Sequence, residues 1–276
     1  MHEDRALSSG LAAEQVLAEA VGLGFEAIEA GPEGFLPNHS TPASKLLKRF
    51  KLKAVAAFVP AVLHHHDIRR AELSWVDGHA RWLSALGAEV LVLAAIHGRA
   101  GRRPPDGLSP TGWAHLLHSI GSVEEVCARH HLKVALHPHF GSLIERPADI
   151  ERILVGCEAG ICLDPAHLML GGADPVELIH LAGSRIKHVH LKDLDAWIAA
   201  RVTAGDLDYA EAVARGLFRP LGEGDAKIAE VLRALGQVGY QGWYVLEQDF
   251  AYRPAQSDPL ADIRRSLDFM RGLDEP

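Results

Sequence analysis

The chain has 276 residues, 48% of them hydrophobic, enough to bury one large core in a single domain spanning 1–276. A formal net charge of -8 gives no basic footprint for nucleic acid or an anionic membrane surface, and no run of about 18 apolar residues is present to span a bilayer. These exclusions leave a small-molecule partner. The start, MHEDRALSSG, is too charged and too short in apolar content for a signal peptide, and Cys127, Cys157 and Cys162 form no paired motif. A cytoplasmic protein with reduced thiols is expected.

Short apolar runs alternate with amphipathic stretches along residues 11–272, the rhythm of repeated βα units around a parallel sheet. A helix is predicted over 11–21, then strands over 25–30, 52–59, 89–95, 132–137, 160–164, 186–191 and 243–247. Helices fill the intervals, and Thr41-Pro42, Ser109-Pro110 and Asp174-Pro175 each read as a capping residue before a proline at the first helical position. A last helix is predicted over 258–271. The fold class is α/β, a (β/α)8 TIM barrel whose first strand is missing or degenerate, because residues 1–10 end in a turn-like Ser-Ser-Gly. The strands at 25–30 and 243–247 are therefore expected to stay unpaired, with residues 1–10 or a partner chain lying across the seam, or with an upstream extension supplying the strand.

A strand buried on both faces has no ordinary use for polar residues at every second position. Here the exceptions recur in one register. His188, His190 and Lys192 share a face opposite Val189 and Leu191; His137 and His139 oppose Val134 and Leu136; Cys162 and Asp164 oppose Ile161 and Leu163; Glu247, Gln248 and Asp249 follow Leu246. Each cluster falls at the C-terminal end of its strand, where the βα loops of a barrel converge on an active site. Asp164, His190 and Glu247, joined by a carboxylate such as Glu145, make a mixed oxygen and nitrogen ligand set suited to Mn, Co, Mg or Zn. Any one of these taken alone reads more readily as a satisfied strand-end polar residue, and it is their recurrence in one register on consecutive strands that favours ligands. The triple His64-His65-His66 reads as a solvated loop near the barrel mouth, with one of the three turned to substrate. Gly222-Glu223-Gly224 carries an acid and reads as a turn at the rim and not as a phosphate loop.

The stretches IEAGPEGFLP (28–37), LHPHFGSLIERPADIERIL (136–154), CLDPAHLMLGGADPVELI (162–179), RIKHVHLKDL (185–194), GLFRPLGEG (216–224) and GYQGWYVLEQD (239–249) resemble the inosose dehydratase group of the xylose-isomerase-like sugar isomerases and epimerases. The resemblance covers residues 11–272. It implies a divalent metal held by Glu145, Asp164, His190 and Glu247, with His137, His167 and Glu29 around the substrate and Glu145, Glu247, His139 and Lys192 as the catalytic candidates. Two departures are visible: related epimerases carry their first metal carboxylate within the strand where this chain has His137, and the first strand, which in the family contributes to the floor and wall of the pocket, is missing. The implied reaction is loss of water from 2-keto-myo-inositol or a similar polyhydroxylated ketone through an enolate. A sugar or ketose 3-epimerase or isomerase uses the same metal site and is the main alternative; a metal-free binding protein without activity is the second, and a phosphodiesterase is disfavoured by the acidic charge. A homo-oligomer is compatible with this class.

Overall fold

The computed structural model describes residues 13–98, 107–249 and 258–274. Helix α1 (Ala13–Leu23) leads into β1 (Ala27–Glu29), and the βα rhythm then continues through α2 (Ser40–Phe50), β2 (Lys53–Ala61), α3 (Arg69–Leu86), β3 (Val90–Ala95), α4 (Pro110–Arg129), β4 (Lys133–Leu136), α5 (Pro147–Gly156) and β5 (Gly160–Leu163). Two helices, α6 (Pro165–Leu170) and α7 (Pro175–Ala182), precede β6 (Ile186–Leu191). An excursion follows, made of β7 (Asp193–Leu194), α8 (Ala196–Thr203), α9 (Tyr209–Ala214) and β8 (Phe218–Arg219). The chain then returns through α10 (Ile228–Gln237), β9 (Tyr244–Leu246) and α11 (Pro259–Asp274).

Seven strands form one parallel sheet in the order β1-β2-β3-β4-β5-β6-β9, matching the seven predicted strands. Among the described residues β1 pairs only with β2 and β9 only with β6, so the ladder ends on both sides. Residues 1–12 lie outside the described residues, and with them what covers the seam. The sheet nevertheless curls far enough for Glu29 of β1 to reach β6 on the opposite side, with one oxygen 2.7 Å from both His188 and His190. No described helix is long and apolar enough to cross a membrane.

The strands sort their side chains by the two-residue period. Ala57, Val59, Leu91, Leu93, Val134, Leu136, Ile161, Leu163, Val189 and Leu191 face outward into the main core, where they meet helix residues such as Leu47, Val76, Leu83, Leu116, Ile120 and Ile153. Each fully buried leucine of that layer contributes about 1.5–3 kcal/mol. The alternate set, Ala56, Val90, Val92, Ala135 and Cys162 with Phe58, fills the barrel interior. That apolar plug carries the polar residues at its C-terminal end.

Local signals explain most helix starts. Ser109 accepts the N–H of Gly112 at 3.1 Å, and Asp174 accepts those of Val176 and Glu177 at 2.7 and 3.1 Å, as the Ser-Pro and Asp-Pro pairs predict. Thr41-Pro42 behaves differently: α2 begins two residues before Pro42, at Ser40, so Thr41 lies inside its first turn and His39 precedes the helix without a side-chain cap. The excursion, which the sequence pattern did not resolve into elements, buries its own small core of Leu194, Ile198, Val202, Leu207, Val213, Leu217 and Phe218 against Ala166 and Leu170 of α6.

The glycine turn at 222–224 has a structural occupant. The buried carboxylate of Asp193 accepts N–H groups from Leu194, Gly222, Gly224 and Ala226 at 2.9 to 3.2 Å. A Cβ at Gly224 would collide with that carboxylate and with the Leu194 carbonyl, which is why the turn needs glycine there. Asp193→Ala should leave these donors without an acceptor and lower stability by roughly 2–4 kcal/mol, read as a fall in the urea midpoint at unchanged slope. Asp193→Asn should recover part of that loss.

Candidate metal centre

Three of the four expected ligands meet at the barrel mouth. Nδ1 of His190 lies 2.6 Å from Oε2 of Glu247, and the two come together with Asp164 and His137, their ligating atoms all within 4.8 Å of one another. His137 occupies the place expected for Glu145. The Glu145 carboxylate instead accepts the N–H of Gly141 at 2.9 Å, and its backbone carbonyl lies so close to Gly171 that a Cβ there would strike it. The physical reason is position: Glu145 sits in the β4–α5 loop, turned onto that loop's own backbone, whereas His137 directly continues β4 and inherits the inward direction of Ala135.

The hydrogen bonds around the imidazoles fix where their lone pairs point. His137 donates through Nδ1 to the Pro138 carbonyl at 3.1 Å, leaving Nε2 bare and 3.1 Å from Nδ1 of His190. His190 donates through Nε2 to Glu29 at 2.7 Å, leaving Nδ1 bare as well. Asp164 accepts the His167 N–H on Oδ1 at 3.0 Å, while Oδ2 has no donor. Oε2 of Glu247, for all its closeness to His190, also meets no donor in hydrogen-bonding geometry. Two nitrogen and two carboxylate lone pairs thus converge on one buried point, an arrangement that repels itself unless a cation or a proton stands there. The donor set fits a divalent ion.

The titration behaviour of the cluster says the same. Burial pushes Asp164 up, and with Glu247 adding to the rise against Lys192 and His190 it stands at about 6. Burial works against a charged His190, yet Cys162, Glu29 and Glu247 hold it well above the usual histidine range. Glu247 is likewise opposed by burial, but Lys192 and His190 keep it well below the normal carboxylate value. Glu29, opposed by burial and favoured by His190 and His188, falls to about 2. Expected beside the substrate, Glu29 is placed as the carboxylate that orients His190 and His188, in the manner of the outer partner of a metal-bound histidine.

Lys192 and its neighbours occupy the other flank. The Nζ of Lys192, buried at 1% exposure, donates to Glu247 at 2.7 Å and Asp249 at 3.0 Å, with Asp164 at 3.9 Å. Burial disfavours its charge, but Asp249, Glu247 and Asp164 keep it an ammonium well above the ordinary lysine range. His167 has donors facing both ring nitrogens, Lys192 at 3.3 Å and the Phe140 N–H at 3.4 Å, and a neutral ring can accept only one of them. His139 donates through Nδ1 to the Phe140 carbonyl at 2.8 Å and lies against His167 with ring centroids 3.8 Å apart. Burial and the Lys192 charge hold His139 below the usual histidine value, so its Nε2 carries a lone pair at neutral pH. Asp249 and His188 were legible only as members of polar strand ends; the pairing of His188 with Glu29 depends on the curl of the sheet, whereas Asp249 meets Lys192 at the ends of the paired strands β6 and β9.

Substitution separates the two carboxylates: Asp164→Asn should abolish binding of Mn, Co or Zn, and Glu145→Gln should leave it intact, as elemental analysis of chelator-free protein would show. Glu29→Gln should weaken metal binding about 10–100-fold. Loss of metal from Glu145→Gln would return that residue to the ligand set.

The pH dependence has a definite sign. Between the ordinary aspartate value of 3.8 and about 6 the folded chain holds a proton on Asp164 that the unfolded chain has released, so this group's contribution to the metal-free fold declines as pH rises through that window. A cation competes with the same proton and with the one on His190. The rise in Tm produced by added metal should therefore grow as pH increases through about 6, measured by calorimetry with and without chelator.

Comparison with known proteins identifies the fold family. The family profile described as "Xylose isomerase-like TIM barrel" matches residues 17–273. Among curated proteins, the rhizopine catabolism protein MocC of Rhizobium meliloti is 29% identical over 255 residues, covering 90% of this chain and 77% of its own. Inosose dehydratase of Geobacillus kaustophilus is 25% identical over 272 residues, covering 94% and 87%. Among solved structures, 3-keto-D-glucoside 4-epimerase YcjR from E. coli superposes with a TM-score of 0.71 at 20% identity, covering 95% of this chain and 94% of its own. The probable 3-DHS dehydratase AsbF from Bacillus anthracis gives 0.73 at 17% identity, covering 96% and 95%. With the profile spanning nearly the whole barrel, the chain belongs to the xylose isomerase-like TIM barrel family.

Proposed function

We propose that the protein is a metal-dependent dehydratase that removes water from 2-keto-myo-inositol or a closely similar polyhydroxylated ketone. The observation that carries this reading is the convergence of the bare nitrogens of His137 and His190 with the carboxylates of Asp164 and Glu247, beside an imidazole with a free lone pair and a buried ammonium. Curated relatives named inosose dehydratase, 24 to 25% identical over 90% or more of this chain, support the choice of reaction.

A divalent cation bound by these four residues would act as a Lewis acid on the ketone oxygen. The chain's own residues supply the rest. Glu29 and the Pro138 carbonyl hold His190 and His137 in the tautomers that leave their ligating nitrogens bare. His139, whose Nδ1–H is held by the Phe140 carbonyl, takes the proton α to the ketone on Nε2 and passes it to the departing β-hydroxyl, so that water leaves and no net charge is gained. Lys192, kept charged by Glu247 and Asp249, stabilises that hydroxyl by hydrogen bonding and does not itself give up a proton. Elimination asks for one base and one cationic donor of different kinds, and the mouth holds both.

An epimerase or isomerase acting on ketohexoses has the same requirement for a polarised ketone, and substrate assays separate the two. Incubation with 2-keto-myo-inositol should generate a dione absorbance, while ketohexoses should be recovered unchanged. Conversion of a ketohexose with no dione from the cyclitol would replace the dehydratase by an epimerase on the same centre. His139→Gln should lower kcat by about 10²–10⁴ with metal content retained; undiminished turnover would remove His139 from the proton path.

A further inference from the structure

The barrel mouth holds a second histidine group, apart from the metal cluster. β2 runs on from Ala61 through Val62 and Leu63 to His64, and β3 from Ala95 through Ile96 to His97. The Ile96 N–H donates to the Ala61 carbonyl at 3.0 Å, so the two strand ends stay together up to the histidines. On the α3 side, Glu72 accepts the Val62 N–H at 3.0 Å and pins this end of β2. Val62, Ala94 and Ile96 pack with Phe58 in one apolar patch, and the Phe58 ring lies 5.9 Å from the rings of His137 and His139. That patch connects the two histidine groups across the mouth.

His64 is 5% exposed, and among the described residues neither of its ring nitrogens has a hydrogen-bond partner. Nε2 of His97 is also buried and unpartnered, and the two rings stand edge to face with centroids 5.2 Å apart. Polar nitrogens withdrawn from water without partners are costly, and most buried ones are satisfied. Burial, with His65 and His97 beside it, lowers the His64 pKa to about 4, so the ring is neutral at pH 7. Among the described residues no third ligating group lies close enough to join His64 and His97 in a metal set. Asp67, the acid nearest to His64 in sequence, is fully exposed and sits 3.9 Å from His66 instead. A neutral imidazole offers one donor and one acceptor, the complement of an alcohol hydroxyl.

We infer that His64 and His97 form a hydroxyl-binding subsite that seats the end of a polyol remote from the metal-binding residues. The inference rests on the polyhydroxylated substrate proposed above and adds the residues that select it: a ring bearing hydroxyls at that end satisfies the buried nitrogens, and one lacking them leaves the nitrogens unpaired. His64→Phe keeps the buried ring volume while removing the hydrogen-bonding nitrogens, and His97→Ala is the second, independent variant.

Calorimetric titration of the Mn-loaded protein with myo-inositol, and with each of its monodeoxy isomers, tests the subsite without depending on turnover. Each variant, shown to be folded and to keep its metal, should bind myo-inositol about tenfold more weakly, the loss expected for one hydrogen bond. That difference from the wild type should vanish for the isomer lacking the hydroxyl concerned. Unchanged affinity in both variants, or an equal loss with every isomer, would overturn the inference, as would failure of the wild type to bind myo-inositol at all. Failure of the dehydratase reading has a different signature, an absence of dione formation alongside intact cyclitol binding.

Discussion

Four carboxylates, those of Glu29, Asp164, Glu247 and Asp249, stand at the mouth of the barrel around one permanent cation, Lys192. Taking that much negative charge out of water is unfavourable by several kcal/mol per ion unless something compensates it. Without a metal, protons do part of the work: His190 is held charged, and Asp164 is protonated up to about pH 6. A divalent cation would carry the same two positive charges as those protons and could take the place of both at once. Metal affinity, proton affinity and local stability are therefore three expressions of one electrostatic constraint, and the positions of Glu29 and Lys192 on either flank of the site follow from it.

The barrel meets this constraint by separating its two jobs along each strand. Outward residues of β2 to β5 are largely aliphatic and hold the helices, while the inward Ala135 of β4 and Cys162 of β5 lead to the candidate ligands His137 and Asp164 just past the strand ends. Because the polar groups continue strands already fixed by packing on both sides, their side chains are held with little freedom, which is what a preorganised site needs. The excursion over β7, α8, α9 and β8 completes the wall: Phe218 lies under the Lys192 ammonium at 4.9 Å, and the Asp193 carboxylate, one residue after Lys192, ties the glycine turn to β7.

Much of this was readable before any coordinates. The seven strands came from apolar runs, and the inward histidines and acids from polar residues at every second position, since a two-residue period has one meaning in a doubly buried strand. What could not be read depends on contacts between distant segments. The choice between Glu145 and His137 turns on whether a loop carboxylate reaches inward or folds back on Gly141, and no local pattern encodes that. Glu29 belongs to a three-residue strand, and the partner of its side chain, His190, lies 161 residues away, a pairing visible only once the sheet has curled. Thr41 fails as a cap because α2 starts two residues early, at Ser40, which places Thr41 inside the first turn. The Gly222-Glu223-Gly224 turn looked like a rim loop, but its acceptor, Asp193, is 29 residues upstream.

The exchange of a loop carboxylate for His137 has a chemical consequence. Two imidazoles and two carboxylates carry one negative charge fewer than one imidazole with three carboxylates, so a centre built on this set would attract hard ions such as Mg less strongly and would favour Mn, Co and Zn, which accept nitrogen ligands readily. The same exchange makes a bound cation more electron-deficient, because a neutral donor cancels none of its charge, and a ketone oxygen in contact with it would be polarised further. Proton abstraction by a weak base then becomes feasible. His139, with a pKa lowered by burial and by Lys192, is a weak base, so its use in the proposed elimination depends on the acidity that the neutral His137 helps to create. On this view the histidine that displaces a carboxylate from the metal set and the histidine that takes the substrate proton are matched parts of one device, two residues apart at the end of β4.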